Sequence, residues 1–259
     1  PNDIGHAVVN LLRLFDVAGA LVFCNTREAV RRLQATLSER GFPAVALSGE
    51  LSQGERNHAM LALRSGRARV CVATDVAARG IDLPGLDLVI HAELPHDAEV
   101  LKHRSGRTGR AGRKGVSVVL VTPANRRRAE RLLSSAHIKA EWRGPPTVDE
   151  IKQLDVERLL RNPMLTDESG DDDRALAQSL LAAHPADAVA TAFIRLYRAQ
   201  LPAPEELTDP LDARDNPRRR EGEQRREGGS RRDAGSRRDA TPPRDERRKP
   251  PREAARFHD

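Results

Sequence analysis

With 259 residues, the chain is long enough to bury one domain core, and its formal net charge of +6 favours an anionic partner. No apolar run approaches the roughly 20 residues that cross a bilayer, and no signal-peptide pattern is present, so we expect no association with a membrane. The two cysteines lie in apolar runs, and neither they nor the scattered histidines show metal-ligand spacing. We therefore expect a reduced, cytoplasmic protein without a metal site. Because the chain does not begin with Met, we also expect it to be a fragment.

The charge divides into three blocks. Residues 1–144 hold 22 Lys/Arg against 14 Asp/Glu, residues 145–215 hold 7 against 15, and residues 216–259 hold 15 against 9. A basic body and a basic tail predict a polyanionic partner, most plausibly nucleic acid. The acidic middle block is not expected to share that role.

Residues 1–144 alternate short apolar runs with longer helical patterns. Thr26 and Ser52 are predicted to cap helices that run to residues 40 and 64, and a further helix is predicted over 124–134. The predicted strands are 20–24, 44–47, 69–73, 86–91 and 116–121. This alternation predicts an α/β fold, a parallel sheet with helices on both faces.

Polar residues follow the predicted strands, and ligands of parallel sheets bind beyond the carboxyl ends of the strands. Any one of these residues alone would be an ordinary helix cap. Together they predict a shared site at one edge of the sheet. They are Asn25, Thr26, Ser48, Gly49, Thr74, Asp75, Arg79, Gly80 and Asp82.

Residues 103–115 (HRSGRTGRAGRKG) place Arg104, Arg107 and Arg110 three residues apart, with glycines between them. On a helical turn this spacing puts the guanidinium groups on roughly one face, and glycine lets a bulky anion approach the backbone. Guanidinium groups bind phosphate through paired hydrogen bonds. A solvated basic run is the alternative, but the regular spacing favours a phosphate site.

The chain has no GxxxxGK[ST] loop and no Asp-Glu pair at a strand end that would hold magnesium. It therefore has arginines suited to a transferring phosphoryl group without a cradle for the nucleotide. Since an arginine finger acts on a nucleotide bound elsewhere, we expect the other half of the site on a separate domain.

Four segments in this order closely resemble the second RecA-like domain of bacterial DEAD-box ATP-dependent RNA helicases. Residues 20–26 (ALVFCNT) resemble motif IV, 47–56 (LSGELSQGER) motif IVa, 72–84 (VATDVAARGIDLP) motif V, and 103–110 (HRSGRTGR) motif VI. Two departures, Ser105 and Lys102, stand where apolar residues are more usual, and neither changes the arginine spacing.

The resemblance implies a RecA-like fold and ATP-driven local unwinding of RNA duplexes. ATP with Mg would be held mainly by the absent first RecA-like domain. Arg107 and Arg110 would be the catalytic arginine fingers that reach the γ-phosphate. Asp82 would accept a hydrogen bond from the ATP ribose, and Gly80 would belong to the same nucleotide site. The fragment alone is expected to be inactive.

The resemblance also implies contacts with partners. His103 and Arg104 would couple the cleft to the first RecA-like domain. The RNA contacts would be to the sugar–phosphate backbone and so carry no base specificity. They are assigned to Thr26, Gly49, Arg56, Thr74 and Arg79.

Residues 145–211 are predicted to form a helical extension. Thr147 and Glu150 fit a capping box for a helix to residue 161, acidic residues 171–173 begin a second helix, and Pro185 begins a third. The arrangement resembles the dimerisation element of cold-shock-type bacterial DEAD-box helicases, which would make a homodimer. The alternative is that these helices pack on the preceding domain.

Residues 212–259 complete the predicted organisation as a disordered, Arg-rich tail, because no Ile, Leu, Val or Met occurs from Asn216 onward. The tail would be a loose RNA-contacting arm or an inert linker. For the whole protein, two other functions are weighed: a non-catalytic RNA-binding scaffold, and a DNA-directed superfamily 2 motor. The finger arginines disfavour the first, and the His103-Arg104 pair and the ARGID segment (residues 78–82) disfavour the second.

Overall fold

The computed structural model describes residues 3–78, 86–109, 114–167 and 170–207, all within one compact unit, Pro1–Asp215. Short 3-10 turns lie at Pro123–Asn125 and Pro163–Leu165. The strands are β1 Ala20–Phe23, β2 Ala44–Leu47, β3 Val70–Ala73, β4 Leu88–His91 and β5 Val116–Val119. The helices are α1 Ile4–Phe15, α2 Arg27–Glu39, α3 Gln53–Arg64, α4 Asp75–Ala78, α5 Ala98–Ser105, α6 Arg126–Ser135, α7 Val148–Leu160, α8 Asp171–Ala183 and α9 Ala186–Ala199.

The five strands form one parallel sheet in the order β2-β3-β1-β4-β5. Side chains alternate between its faces. Val22 faces a core built with α1 and α2, whereas its neighbour Phe23 faces a second core that includes α3 and α4. Every residue of β1, β3 and β4 is buried, which explains their continuous apolar sequences. The predicted α/β sheet with helices on both faces is confirmed.

The predicted helix starts are confirmed in detail. The Thr26 hydroxyl accepts a hydrogen bond from the Ala29 amide at 3.1 Å, and Ser52 forms a reciprocal capping box with Glu55. Strand limits differ from the predictions by one or two residues, and α6 begins at Arg126 because Pro123 first forms a 3-10 turn. Cys24 and Cys71 are buried free thiols, as predicted, and burial raises the pKa of both to about 12.

Helices α1 and α5 were not predicted from the sequence. Asp3 caps α1 by accepting from the His6 amide at 3.0 Å, and Asp97 caps α5 in the same way. An apolar face of α1 that includes Val8 and Leu12 is buried in the core. Both helices therefore contribute to the sheet's covering layers.

The extension contacts the sheet domain at both of its ends. Arg13 of α1 donates to the Asp155 carboxylate of α7 at 2.6 Å. At the other end of the extension, the side chain of Leu207 packs against the core formed by α1 and α2. Only half of the predicted capping box forms, because Glu150 binds Arg143 instead of returning to the Thr147 amide.

Helices α8 and α9 contact each other, and several of their leucine side chains remain exposed. Leu176 and Leu196 keep 63% and 66% of their surface accessible. The predicted disordered tail, from residue 212, lies outside the described residues. None of the described helices is long and apolar enough to cross a membrane.

Candidate functional site

The carboxyl ends of three adjacent strands form the floor of the site. Phe23, Ala73 and Leu47 are paired across β1, β3 and β2, so these strands end in one row. The residues that follow them therefore share an edge, as predicted. They are Asn25 and Thr26, Ser48 and Gly49, and Thr74 and Asp75.

Arg104, on α5, ties these strand ends together. Its guanidinium donates from Nε and Nη2 to the two Asp75 carboxylate oxygens at 2.7 and 2.6 Å. It also donates to Asn25 Oδ1 at 2.8 Å and to the Glu93 carbonyl at 3.1 Å, and it lies 5.1 Å from the centroid of the Phe23 ring. With only 1% of its surface exposed and four of its five N–H groups donating within the protein, Arg104 is a structural hub.

This hub corrects the expectation that the arginines share one helical face. Helix α5 ends at Ser105, so Arg107 lies beyond it, while Arg104 points into the interior. His103, predicted to act with Arg104, is exposed. Arg107 is half-buried, and within the described part of the chain its guanidinium makes no hydrogen bond or ion pair. Arg107 is therefore available to a ligand, and Arg104 is not.

Glycines of the basic segment 103–115 also allow close packing of the backbone. A Cβ at Gly115 would lie 2.0 Å from Thr108 Oγ1 and 2.4 Å from the Gly109 amide, while Gly109 itself has a positive φ of 71°. Thr108 in turn donates to the Leu86 carbonyl at 2.6 Å. Gly115 thus lets the segment after α5 pack closely against β5, a role that the sequence analysis did not assign.

The predicted RNA contacts fall into two groups. Gly49, Thr74 and Thr26 follow β2, β3 and β1, so the row spans two strand spacings, about 10 Å. A Cβ at Gly49 would meet nothing within 4 Å, which leaves the backbone there open to an approaching phosphate. Arg56 lies on α3 and donates to the Ala77 carbonyl at 2.6 Å, so it supports α4.

A polar cluster beneath α5 explains Ser105, the departure from the motif VI pattern. Its hydroxyl lies 3.3 Å from His91 Nε2 and 3.0 Å from Ser117 Oγ, linking α5 to β4 and β5. Burial, and secondarily the Arg104 charge, lower the pKa of His91 to about 3. His91 is therefore a neutral bridge in the cluster.

Four predicted site residues lie outside the described residues. They are Arg79, Gly80, Asp82 and Arg110.

Neither Glu93 nor the interior role of Arg104 was predicted from the sequence. Glu93 Oε2 accepts from the Asn25 amide at 2.5 Å, and Asn25 Nδ2 donates to the Leu94 carbonyl at 3.0 Å. The spacing of Leu101 and Arg104, three residues apart on one helix, is the signal that would have placed Arg104 on the buried face.

The described residues contain no group of three or more His, Cys, Asp or Glu side chains able to hold a metal ion. The unpaired Arg107 guanidinium has the charge and the planar fork of donors that suit an anion such as phosphate.

The five-stranded parallel sheet, covered by helices and followed by a basic turn after the helix that succeeds β4, has the architecture of a RecA-like domain. Residues 6–112 match the family described as helicase conserved C-terminal domain.

Comparison with individual known proteins narrows the family. The chain is 40% identical over 147 residues to the Escherichia coli (strain K12) ATP-dependent RNA helicase DbpA, covering 57% of this chain and 32% of that protein. It is 33% identical over 207 residues to the DEAD-box ATP-dependent RNA helicase CshA of Geobacillus kaustophilus (strain HTA426), covering 77% and 44%. The crystal structure of E. coli DEAD-box protein SrmB bound to regulator of ribonuclease activity A matches with 38% identity and a TM-score of 0.50, covering 57% of this chain and 88% of that one. The chain therefore belongs to the DEAD-box helicase family, and it spans less than half the length of these two curated relatives.

Proposed function

We propose that the chain is the C-terminal half of an ATP-dependent RNA helicase and drives local unwinding of RNA duplexes together with a first RecA-like domain. The observation that carries this proposal is the contrast between two arginines of one segment. Arg104 is buried and holds the strand ends, whereas Arg107 emerges from the turn after α5 with its guanidinium unpaired in the described part of the chain.

ATP, bound with magnesium mainly by the first domain, supplies a phosphoanhydride whose hydrolysis releases free energy. In this chain, Arg107 and Arg110 neutralise the charge that develops on the γ-phosphate. Asp82 accepts a hydrogen bond from the ribose, and Gly80 lines the same site. The Asp75–Arg104 pair holds α5, and so the start of the Arg107 turn, against the sheet.

RNA binds along the carboxyl edge of the sheet in this proposal. Thr26, Gly49 and Thr74 contact the backbone of one strand, and Arg56 on α3 adds positive charge. Arg79 is assigned to the same RNA backbone by the resemblance of its segment to motif V. His103 and Arg104 connect this edge to the first domain, His103 by direct contact and Arg104 by positioning. Contacts to phosphate carry no base specificity.

The experiment compares this chain with the protein in which it is joined to the first RecA-like domain. We expect negligible ATP hydrolysis by the chain alone and RNA-stimulated hydrolysis by the joined protein, with single-stranded DNA a poorer stimulator. Equal hydrolysis by both proteins would contradict the split site. Equal stimulation by DNA would favour a DNA-directed motor, and RNA binding without any hydrolysis in the joined protein would favour a scaffold.

The extension supports a second proposal, a homodimer through α8 and α9, as in a cold-shock-type extension. Its support is the exposed apolar surface of Leu176, Leu180, Leu181 and Leu196. Leu180→Glu/Leu196→Glu should convert dimers to monomers in light scattering at tens of micromolar, and Thr191→Glu on the same pair should not. A chain that is monomeric without substitution would contradict the dimer.

Two further features of the proposed protein concern its organisation and location. We divide the chain at residues 144 and 211 into the sheet domain, the extension and the tail. The reduced, buried thiols of Cys24 and Cys71 support a cytoplasmic location.

A further inference from the structure

Helix α6 presents a strongly basic surface that the functions above do not use. Arg126, Arg127 and Arg131 on this helix are exposed, and Trp142, from the segment that follows, lies against it. These four residues are called the α6–Trp142 surface. It combines guanidinium groups with an aromatic ring on solvent-exposed structure.

Trp142 is held in place without being buried. The Arg126 guanidinium carbon lies 5.1 Å from the Trp142 ring centroid, and Trp142 keeps 45% of its surface accessible. Arg126 Nε donates to Glu130 at 3.0 Å, which fixes the guanidinium over the ring. A ring oriented in this way retains surface for a second planar group.

Arg127 and Arg131 lie one helical turn apart, so their side chains are neighbours. Neither forms an ion pair or hydrogen bond within the described part of the chain. Two adjacent, uncompensated guanidinium groups are suited to successive phosphates of one nucleic-acid strand.

Helix α6, which carries the arginines of this surface, lies beside the proposed RNA row. Arg128 of α6 donates at 3.5 Å to the carbonyl of Pro95, which follows β4, and β4 is the neighbour of β1. The carbonyl of Leu94 accepts from Asn25, the residue before Thr26. The row formed by Gly49, Thr74 and Thr26 therefore continues toward α6 at the same edge of the sheet.

We propose that the α6–Trp142 surface binds single-stranded RNA, with an unpaired base stacked on Trp142 and backbone phosphates on Arg127 and Arg131. Stacking on aromatic rings beside a positive groove is how proteins bind single strands without sequence preference. The inference rests on the proposed function for the identity of the nucleic acid. The RNA strand then extends past the row of Gly49, Thr74 and Thr26 onto α6.

The experiment uses the whole chain, in which Trp142 is the only tryptophan. A fluorescein-labelled U12 RNA reports total binding by anisotropy, and unlabelled U12 is titrated separately against the intrinsic tryptophan emission. We expect the emission to be quenched over the same RNA concentrations that raise the anisotropy. RNA binding with unchanged emission would overturn this inference and leave the proposed function standing, whereas no binding at all would overturn both.

Variants separate stacking from charge. Arg127→Ala/Arg131→Ala should flatten the salt dependence of log affinity by about 1.4, at about 0.7 for each lost phosphate contact. The control Arg64→Ala/Arg67→Ala, at the amino edge of β3, should leave both the slope and the quenching unchanged. Trp142→Phe should keep the affinity, and Trp142→Ala should weaken it by roughly fivefold or more. Equal affinity of the two Trp142 variants, or equal quenching by polyphosphate, would overturn base stacking.

Discussion

Replacing Arg104 should destabilise the sheet domain more than any change at its exposed neighbours. The side chain makes four hydrogen bonds, and two of them go to the Asp75 carboxylate. Removing one partner of a buried ion pair costs about 3–5 kcal/mol. The Asp75 side chain keeps 29% of its surface exposed and gains some water in the variant, so we expect Arg104→Ala to cost about 3 kcal/mol.

Arg104→Lys is the sharper form of this test, because it keeps the charge and loses the fork that reaches Asp75, Asn25 and the Glu93 carbonyl together. We expect a loss of about 2 kcal/mol, since hydrogen bonds to charged groups contribute about 1.5–3 kcal/mol each and lysine retains part of them. For a chain of this size that corresponds to a melting temperature lower by about 4–8 °C.

The assay is urea denaturation followed by circular dichroism, with thermal melting beside it. His103→Ala, one residue away and exposed, should change the unfolding free energy by no more than about 0.5 kcal/mol. If Arg104→Lys is as stable as the His103→Ala control, the hub does not hold the strand ends and the reasoning is refuted.

Three further predictions follow from the described contacts. His91→Gln should remove a pH dependence of the unfolding free energy. The His91 pKa of about 3 in the folded chain lies below the usual 6.5, so the stability that is present above pH 6.5 is lost as the pH falls. In urea titrations between pH 6.5 and 5, the unfolding free energy of the unaltered chain should fall by about 1.5 kcal/mol more than that of the variant. Gly115→Ala should cost about 1–3 kcal/mol because its Cβ would collide with the Thr108 side chain and the Gly109 backbone nitrogen, whereas Gly49→Ala should be neutral. Equal melting temperatures of the two variants would contradict this packing. Asn10→Ala leaves the Pro146 carbonyl and both Glu205 backbone groups without their hydrogen-bond partner. Limited proteolysis should therefore cleave residues 200–207 faster in the variant. An unchanged cleavage rate would mean that other contacts hold this segment.

The sheet was largely predictable because its strands are buried on both faces. Continuous apolar runs such as residues 70–73 leave little alternative to a central strand of a parallel sheet, and Thr26 and Ser52 mark helix starts by their own chemistry. The first helix was missed although Asp3 caps it. Its turns carry Asn10 and Arg13 among the apolar residues, and both are buried only because the extension supplies their partners.

The positions of the site residues along the sheet edge were predictable from the sequence, but the hydrogen bonds that join them were not. Strand ends of a parallel sheet meet at one edge whatever the side chains are, so Asn25, Thr74 and Asp75 could be grouped from the sequence alone. The Leu101–Arg104 spacing indicates that Arg104 is buried, but the exposure of Arg107 could not be predicted, because it depends on where α5 ends. Regular spacing of like residues indicates a shared role only while the helix continues.

The central claim is tested most directly by single-turnover ATP hydrolysis in the protein that joins this chain to the first RecA-like domain, with saturating RNA. Arg107→Ala should lower the hydrolysis rate by about a thousandfold, the scale of an arginine finger, while binding of nucleotide-free protein to RNA stays unchanged. Arg67→Ala, an equal change of charge at the amino edge of β3, should leave the hydrolysis rate near that of the unaltered protein. An Arg107→Ala protein that hydrolyses ATP within a few-fold of the unaltered one would contradict the account.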